Sequence, residues 1–359
     1  MFESIERSYQ GKKVFLTGHT GFKGSWLLKM LSLLGAQVKG YALAPVNEFD
    51  LYNVIKGDRL CDSVIADLRD RKRLIEEIKN FQPDFVFHLA AQPLVRISYD
   101  IPAETFEINA IGTANLLDGV RALEKPCQAV LITTDKVYHN NEWFYPYRES
   151  DRLGGYDPYS ASKACAELVI DSYRNSFFNV SDYDKHYKSI TVARAGNVIG
   201  GGDWAKDRLI PDIVRFLSKN EKIIVRNPNA VRPWQHVLEP LFGYLLLGSK
   251  MLVEPVKYSG AYNFGPGVDD ALPVNKMVEL AIKSWGKGEF EVINSANQPH
   301  EAGLLKLDIS KAAANLNWKP KYQAPEAIEK TIEWYKYYFS DSNKIEEFTE
   351  RQIIDFINE

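Results

Sequence analysis

The sequence predicts an α/β fold, in which a doubly wound parallel sheet carries a smaller, mixed α/β lobe. Three observations support this prediction. Short apolar runs of strand length alternate with longer stretches of helical periodicity through the first half of the chain. A glycine-rich turn directly follows the first apolar run. After about residue 200 the pattern loosens into loops rich in Gly, Pro and Trp, which is typical of a second lobe.

The predicted strands are short, mostly apolar and rich in Val, Ile or Phe, as expected of buried parallel strands. They cover residues 14–17, 38–42, 84–90, 129–133 and 190–194, with a further strand-like run at 261–264. Helices with apolar residues at helical spacing are predicted at residues 24–34, 69–80, 105–123 and 158–175. Right-handed crossovers then place residues 1–200 and about 235–266 in one domain, and residues 201–234 and 267–359 in the second lobe.

Composition limits the possible functions. The 359 residues carry a formal net charge of −3 and no basic stripe, so a nucleic-acid partner is not expected. The three cysteines, Cys61, Cys127 and Cys165, form no CxxC pair, which argues against a metal site and a disulfide framework. No signal-peptide core is present in residues 1–13, and no later run of membrane-spanning length lacks a charge. A cytoplasmic protein without a membrane partner is therefore expected.

The turn after the first strand reads GHTGFKG, with Gly18, Gly21 and Gly24 at the start of a predicted helix. Glycines here let the backbone approach a pyrophosphate, whose charge is held by the free N–H groups of the helix. The turn therefore predicts a dinucleotide-binding Rossmann domain. Lys23 either contacts a phosphate or is a solvated loop lysine. The usual acidic residue about 20 positions later is missing, since Lys39 and its neighbours stand there, so NAD is expected but NADP stays open.

Two side chains with complementary chemistry stand four residues apart, Tyr159 and Lys163, at the head of a predicted helix. Residues at this spacing share a helix face, so the phenol and the ammonium can reach one pocket. We expect the ammonium to lower the phenol pKa from about 10, which makes Tyr159 a candidate base for a substrate hydroxyl. Thr134 ends a predicted strand, where open α/β sheets bind ligands, and is the candidate to hydrogen-bond the reacting oxygen.

Five motifs occur together in one order: GHTGFKG, LAAQP, TTDKVY, YSASK and RAGNVIGGGDW. Over nearly the whole chain they resemble the extended short-chain dehydrogenases/reductases that act on nucleotide sugars, and an Asp directly after the Thr resembles the 4,6-dehydratase branch. The resemblance implies contacts to NAD from residues of the loop and the strand ends. These are Gly18, His19, Gly21, Phe22, Lys23, Gly24, Asp67, Leu68, Leu89, Ala90, Ala91, Tyr159 and Lys163.

The resemblance also implies a redox dehydration of a nucleotide hexose, of the kind used in deoxysugar and O-antigen lipopolysaccharide biosynthesis. Its steps are oxidation at C4, elimination of water across C5 and C6, and return of hydride to C6. Asp135 and Lys136 stand where relatives acting on dTDP-glucose and GDP-mannose carry Asp-Glu. Together with Tyr159, this pair implies CDP-linked glucose as the substrate. Other nucleotide hexoses (dTDP-, GDP- or UDP-linked), a UDP-sugar 4-epimerase and a non-catalytic NAD-binding sensor are the alternatives.

Roles within the site follow from this chemistry as hypotheses. Asp135 is expected to be the acid and Lys136 the C5 base, acting as a coupled pair, unless Lys136 is an ordinary surface lysine. Asn109 resembles the family's helix-bending asparagine, with a satisfied buried amide as the alternative. Seven residues in stretches that resemble the family's are expected to contact the substrate, with ordinary loop or packing roles as the alternative. They are Arg96, Asn197, Trp204, Arg208, Arg232, His300 and Glu301. We also expect a homodimer that forms through helices 105–123 and 158–175. No bound metal is expected.

Overall fold

The computed structural model describes residues 2–293 and 304–359, without the side chains of Phe2 and Arg232. Its strands are β1 Lys13–Thr17, β2 Gln37–Ala42, β3 Asp62–Ile65, β4 Phe85–His88, β5 Cys127–Thr134, β6 Lys188–Ala195, β7 Asn197–Ile199, β8 Ile223–Val225, β9 Val231–His236, β10 Gly260–Phe264, β11 Ala271–Pro273 and β12 Phe290–Val292.

Seven of these strands form one parallel sheet in the order β10-β6-β5-β4-β1-β2-β3. The central strand β1 pairs with β2 on one side and β4 on the other, so the winding direction reverses there. A crevice opens at the carboxyl ends of the strands at such a reversal. The predicted doubly wound parallel sheet is confirmed. Two small sheets, β11-β9-β7 and β12-β8, belong to the remaining, mixed part of the chain.

The helices are α1 Phe2–Tyr9, α2 Phe22–Leu33, α3 Leu51–Val54, α4 Arg71–Phe81, α5 Val95–Asp100, α6 Pro102–Phe106, α7 Gly112–Arg121, α8 Pro158–Ser176, α9 Tyr183–His186, α10 Leu209–Ser218, α11 Leu238–Val253, α12 Val274–Trp285, α13 Ser310–Leu316, α14 Ala324–Ser340 and α15 Ile345–Asn358. Single 3₁₀ turns occur at Gly57–Arg59, Asp135–Val137, Val180–Asp182 and Ser342–Lys344. Within the described part of the chain, every helix is too short or too polar to cross a bilayer.

The helix predicted at residues 105–123 is interrupted. It consists of α6, a π-helical turn at Glu107–Ile111, and α7. The π turn coincides with Asn109, whose carbonyl accepts a hydrogen bond of 2.7 Å from the Thr113 hydroxyl. A side-chain hydroxyl that occupies a main-chain carbonyl is a common cause of a bend in a helix. The sequence periodicity predicted the helical stretch but not this break.

Alternating side chains of the central strands divide the core into two layers. In β1, Val14 and Leu16 pack into the larger cluster, while Phe15 points to the opposite face and joins the smaller one. In β5, Ile132 and Leu131 divide in the same way. This is the two-residue period of a strand that is covered by helices on both faces. Full burial of each such side chain contributes about 1.5–3 kcal/mol to folding, and it holds the strand ends rigidly in place.

Candidate active site

A cavity of ≈ 1240 Å³ opens at the carboxyl ends of β4, β5 and β6. The α8 helix and the chain around α10 and β8 form its other walls. Five of the predicted site residues face it from two elements: Thr134, Asp135 and Lys136 at the end of β5, and Tyr159 and Lys163 on α8. The structure thus brings the whole predicted catalytic set together.

The glycine loop approaches β4 more closely than any side chain would allow. Gly18 has a φ of +75°, and a Cβ there would lie 2.7 Å from the Ala90 nitrogen. A Cβ on Gly24 would lie 1.9 Å from the Gly18 carbonyl oxygen. Gly21 is the N-cap of α2 and has no side chain to satisfy the first N–H groups. These features fit a pyrophosphate at the start of α2.

His19 and Lys23 behave differently within this loop. The His19 ring is buried and turned towards β3, with its Nε2 2.7 Å from the Ser63 hydroxyl. Burial lowers its pKa to about 4, so the ring is neutral. A cofactor contact of His19 is therefore restricted to its main chain. Lys23 lines the cavity and donates to the Tyr244 hydroxyl at 3.1 Å. Burial, with the nearby cations of Lys163 and Arg208, lowers the pKa of Lys23 to about 7.

The other residues that the resemblance implied for the cofactor divide into two groups. Leu89 and Ala91, like Phe22, line the cavity. Asp67, Leu68 and Ala90 are not among its lining residues. The Asp67 carboxylate is held by the Arg69 guanidinium at 2.7 Å, and the Leu68 side chain is buried in the smaller core cluster. The predicted contact of Asp67 with the cofactor therefore competes with an ion pair inside the chain.

The acid and the amine at the end of β5 touch each other. Asp135 Oδ1 lies 3.3 Å from the Lys136 ammonium and accepts a hydrogen bond of 2.9 Å from the Thr134 hydroxyl. The Asp135 side chain is 3% exposed and that of Lys136 is 31% exposed. A buried carboxylate that gives one oxygen to a hydroxyl and an ammonium is well placed for proton exchange. Lys136 is thus a cavity residue and not an isolated surface lysine.

The expected effect of Lys163 on Tyr159 is wrong for the protein alone. Burial raises the pKa of the Tyr159 phenol above its usual value. The cation that mainly opposes this is Lys136, helped by the hydrogen bond between the phenol and Thr134 and by the charge of Arg208. Lys163 instead donates to the Ile132 carbonyl at 3.0 Å, and burial lowers its own pKa to about 8. The helical spacing predicted that Tyr159 and Lys163 share a pocket. It did not predict which cation has the largest effect on the Tyr159 pKa.

The head of α8 is fixed by residues that the motif search missed. The Asp157 carboxylate caps the helix by accepting from the Ser160 N–H at 2.9 Å, and Pro158 starts its first turn. The Ser98 hydroxyl of α5 accepts from the Tyr159 N–H at 3.1 Å. An Asp-Pro pair before a helix is a known start signal and could have identified the cap. Nothing in the sequence signals Ser98.

Asn109 is a fully bonded buried amide. Its Oδ1 accepts from the Gln92 N–H at 2.8 Å, and its Nδ2 donates to the Gln92 carbonyl at 3.1 Å and to the Ser162 hydroxyl at 2.9 Å. Ser162 in turn donates to the Tyr159 carbonyl at 2.7 Å. The amide thus ties the chain after β4 to the first turn of α8, and it supports Tyr159 through the main chain.

Three of the predicted substrate residues line the cavity: Arg96, Asn197 and Arg208. Trp204 is not among the lining residues, because its ring packs between Phe49 and the aromatic face of α14. The structure thus gives Trp204 the packing role that was the alternative to a substrate contact. The Arg232 side chain, and all of His300 and Glu301, lie outside the described residues.

Arg208 has a buried partner that sequence reasoning missed. The Asp203 carboxylate, 6% exposed, accepts from Arg208 Nη1 at 2.8 Å and from the Ala205 N–H at 3.1 Å. The Tyr335 hydroxyl of α14 donates to the Asp203 carbonyl. Arg208 is thus held at the cavity wall, close enough to influence the charges of Lys23 and Tyr159.

Comparison with known proteins agrees with this geometry. The model of the family described as GDP-mannose 4,6 dehydratase matches residues 15–331. The chain is 47% identical over 350 residues to CDP-glucose 4,6-dehydratase from Salmonella typhimurium, covering 98% of this chain and 97% of that protein. The structure of dTDP-glucose 4,6-dehydratase from Streptomyces venezuelae with NAD bound has a TM-score of 0.76 at 23% identity, covering 90% of this chain and 97% of that one. Since the family model spans most of its length, the chain belongs to the GDP-mannose 4,6 dehydratase family.

Proposed function

We propose that this chain catalyses the NAD-dependent dehydration of CDP-D-glucose to CDP-4-keto-6-deoxy-D-glucose and water. The convergence of Tyr159, Asp135 and Lys136 on one cavity carries the proposal. Oxidation and elimination on one hexose require a base for a hydroxyl, a base for a carbon-bound proton and an acid for the leaving group. The choice of nucleotide is supported by the 47% identity with the CDP-glucose enzyme of Salmonella typhimurium.

The residues present fit a dinucleotide. Gly18 and Gly24 let the loop fold tightly at the start of α2, where free N–H groups suit a pyrophosphate, and Leu89 and Ala91 line the adjoining wall. Bound NAD supplies the reversible hydride acceptor that this chemistry needs. A preference for NAD over NADP is supported by Lys39, whose ammonium lies 3.1 Å from Asp62 and 2.8 Å from Glu77 and is thus engaged by carboxylates.

Tyr159 takes the proton of the C4 hydroxyl during oxidation, with Thr134 as the hydrogen-bond partner of the phenol. Because burial raises the pKa of Tyr159, the reaction depends on the cations that stabilise its phenolate. In the protein alone these are Lys136 first and Arg208 second. Lys163, held against the Ile132 carbonyl, keeps a further positive charge on the same helix face.

Elimination follows because a ketone at C4 makes the C5 hydrogen acidic. Lys136 must be neutral to remove that proton, and Asp135 must carry a proton to give to the departing C6 hydroxyl. Both conditions are met when one proton moves from the Lys136 ammonium to the Asp135 carboxylate across their 3.3 Å contact. The net charge of the pair does not change in this transfer.

Binding of the diphosphate is assigned to Arg208, which Asp203 orients, with Arg96 and Asn197 as further contacts.

We also propose a homodimer through α6, α7 and α8. Ile111 beside α7 is 54% exposed and Leu168 on α8 is 58% exposed. Large apolar side chains on neighbouring helices are typical of a surface that a second subunit covers.

The direct test is incubation of the purified chain and NAD with CDP-glucose, and separately with dTDP-glucose, GDP-mannose and UDP-glucose. We expect a product that has lost one water from CDP-glucose, detected by mass spectrometry, and much slower conversion of the other three. A product of unchanged mass with inverted C4 would identify a 4-epimerase. No conversion together with tight NAD binding would favour a non-catalytic sensor.

A further inference from the structure

A buried ion pair lies behind the cavity wall, between α8 and β6. The Glu167 and Arg194 side chains are only 2% and 4% exposed. Arg194 Nε donates to both carboxylate oxygens of Glu167, at 2.9 Å and 3.0 Å, and its Nη2 donates to Oε2. Glu167 is not a cavity-lining residue, so it does not contact a substrate directly.

The pair holds both ends of the catalytic segment, defined as residues 133–138. At the first end, the Thr133 hydroxyl donates to Glu167 Oε1 at 2.6 Å. At the other end, Arg194 Nη1 donates to the Tyr138 hydroxyl at 2.7 Å, and that hydroxyl donates to Asn263 Oδ1 at 2.8 Å. Asp135 and Lys136 lie between these two anchors. One ion pair therefore supports both ends of the segment that carries them.

The same carboxylate also acts on Lys163, one helical turn before it on α8. Burial lowers the pKa of Lys163 to about 8, and the negative charge of Glu167 opposes this effect. Among the described residues, the charges of Lys23 on α2 and His88 on β4 are coupled to Lys163, and Tyr159 and Asp135 face the same cavity. Loss of the Glu167 charge would let burial and the Lys23 charge lower the pKa of Lys163 further.

Stability alone does not require this arrangement. A buried ion pair loses so much hydration that an apolar pair of similar volume often gives an equal or more stable protein. We propose that Glu167 and Arg194 are positioning residues for catalysis, which lock the catalytic segment against α8 so that Asp135 and Lys136 face the ring that Tyr159 oxidises. This inference rests on the proposed function.

Two sets of variants separate positioning from simple folding support. The double variant Glu167→Leu/Arg194→Met replaces the charges by apolar groups. We expect it to melt within a few degrees of the wild type, to lose at least tenfold in kcat with little change in KM, and to shift the alkaline limb of its pH–rate profile to lower pH. Thr133→Val removes one anchor and keeps the ion pair. Its kcat should therefore fall several-fold, while the alkaline limb of its pH–rate profile stays unshifted. Thr133→Ser restores the hydroxyl and should recover most of the rate.

Lys29→Met is the control, since it breaks the ion pairs of a buried lysine with Glu346 (3.4 Å) and with the more exposed Glu350 (3.0 Å). These pairs involve no cavity residue, so kcat should be unchanged. A folded double variant with wild-type kcat and an unshifted pH profile would overturn the proposal. If the double variant does not fold, wild-type kcat in Thr133→Val would overturn it equally. All chains are compared on the nucleotide hexose that the wild type converts, so failure of CDP-glucose as a substrate counts against the proposed function alone.

Discussion

Two opposing effects act on the pKa of the Tyr159 phenol. Burial raises the pKa of its phenol, and the cations of Lys136 and Arg208 lower it. Tyr159→Phe removes the hydroxyl without changing the packing of the ring. We expect kcat to fall by about 10³-fold while NAD and CDP-glucose still bind, because a general base of this kind contributes 10²–10⁴-fold. Steady-state kinetics and a binding titration measure the two quantities.

The control for that variant is Tyr145→Phe, a change at a phenol on the surface that is 73% exposed. Wild-type turnover is expected there. Wild-type turnover in Tyr159→Phe as well would show that another group takes the C4 proton.

Lys136 has a separable role. In Lys136→Met the side chain keeps its length but cannot accept a proton, so we expect the loss of water to stop. Oxidation at C4 should continue more slowly, because the Tyr159 phenolate loses its main stabilising cation. Absorbance of the reduced cofactor should then accumulate in a single turnover, and no dehydrated product should appear. Lys222→Met, at a lysine that is 63% exposed, is the matched control and should behave as the wild type. Normal elimination in Lys136→Met would contradict the assignment of the C5 base.

Single residues were predictable where a motif fixes both residue type and backbone geometry. The glycines of the loop and the pair Tyr159 and Lys163 are of this kind. The orientations of the Trp204 and His19 rings could not be predicted, because neighbours far away in sequence, such as Tyr335 and Ser63, decide where these rings point. The direction of the Tyr159 pKa also depends on burial, which no local spacing reveals.

Among the secondary-structure elements, the loop between β1 and α2 is the most constrained. Gly24→Ala would place a methyl group 1.9 Å from the Gly18 carbonyl oxygen, so the loop must open. We expect NAD affinity to fall by at least tenfold and the free energy of unfolding to fall by roughly 1–3 kcal/mol. Fluorescence titration with NAD and thermal unfolding measure both effects.

Gly267→Ala is the control for this loop variant, because a Cβ at Gly267 meets no atom within 4 Å. It should bind NAD and unfold as the wild type does. Equal NAD affinity in Gly24→Ala and Gly267→Ala would show that the loop does not hold the pyrophosphate.

The strands show how well the sequence pattern predicts the bounds of secondary-structure elements. Each predicted strand is found within a few residues of its expected bounds, because buried parallel strands are continuous apolar runs. The strand predicted at 84–90 ends at His88, since the chain then turns to line the cavity with Leu89 and Ala91. The resemblance of Asn109 to a helix-bending asparagine implied a bend near the π turn at Glu107–Ile111, but periodicity did not predict it. The turn depends on hydrogen bonds from Asn109 to Gln92 and Ser162 that form only in the folded protein.

For the whole molecule, the proposed dimer makes a prediction of its own. Leu168→Glu places a charge on the exposed face of α8, where Leu168 is 58% exposed. Because a buried unpaired charge opposes association, we expect a homodimer for the wild type and a monomer for this variant by analytical ultracentrifugation. Val253→Glu, at a residue that is 75% exposed on α11, should leave the dimer intact. A monomeric wild type would contradict the proposal.

The central claim is that Tyr159, Asp135 and Lys136 act in turn on one hexose. Conversion of CDP-glucose by the wild-type chain in deuterium oxide tests it most directly, with the product analysed by mass spectrometry and NMR. The predicted product has lost one water and carries a single deuterium at C5, because the proton that Lys136 removes exchanges with solvent before C5 is protonated again. A product that retains its oxygen at C6, or that has lost water without deuterium at C5, would contradict the claim.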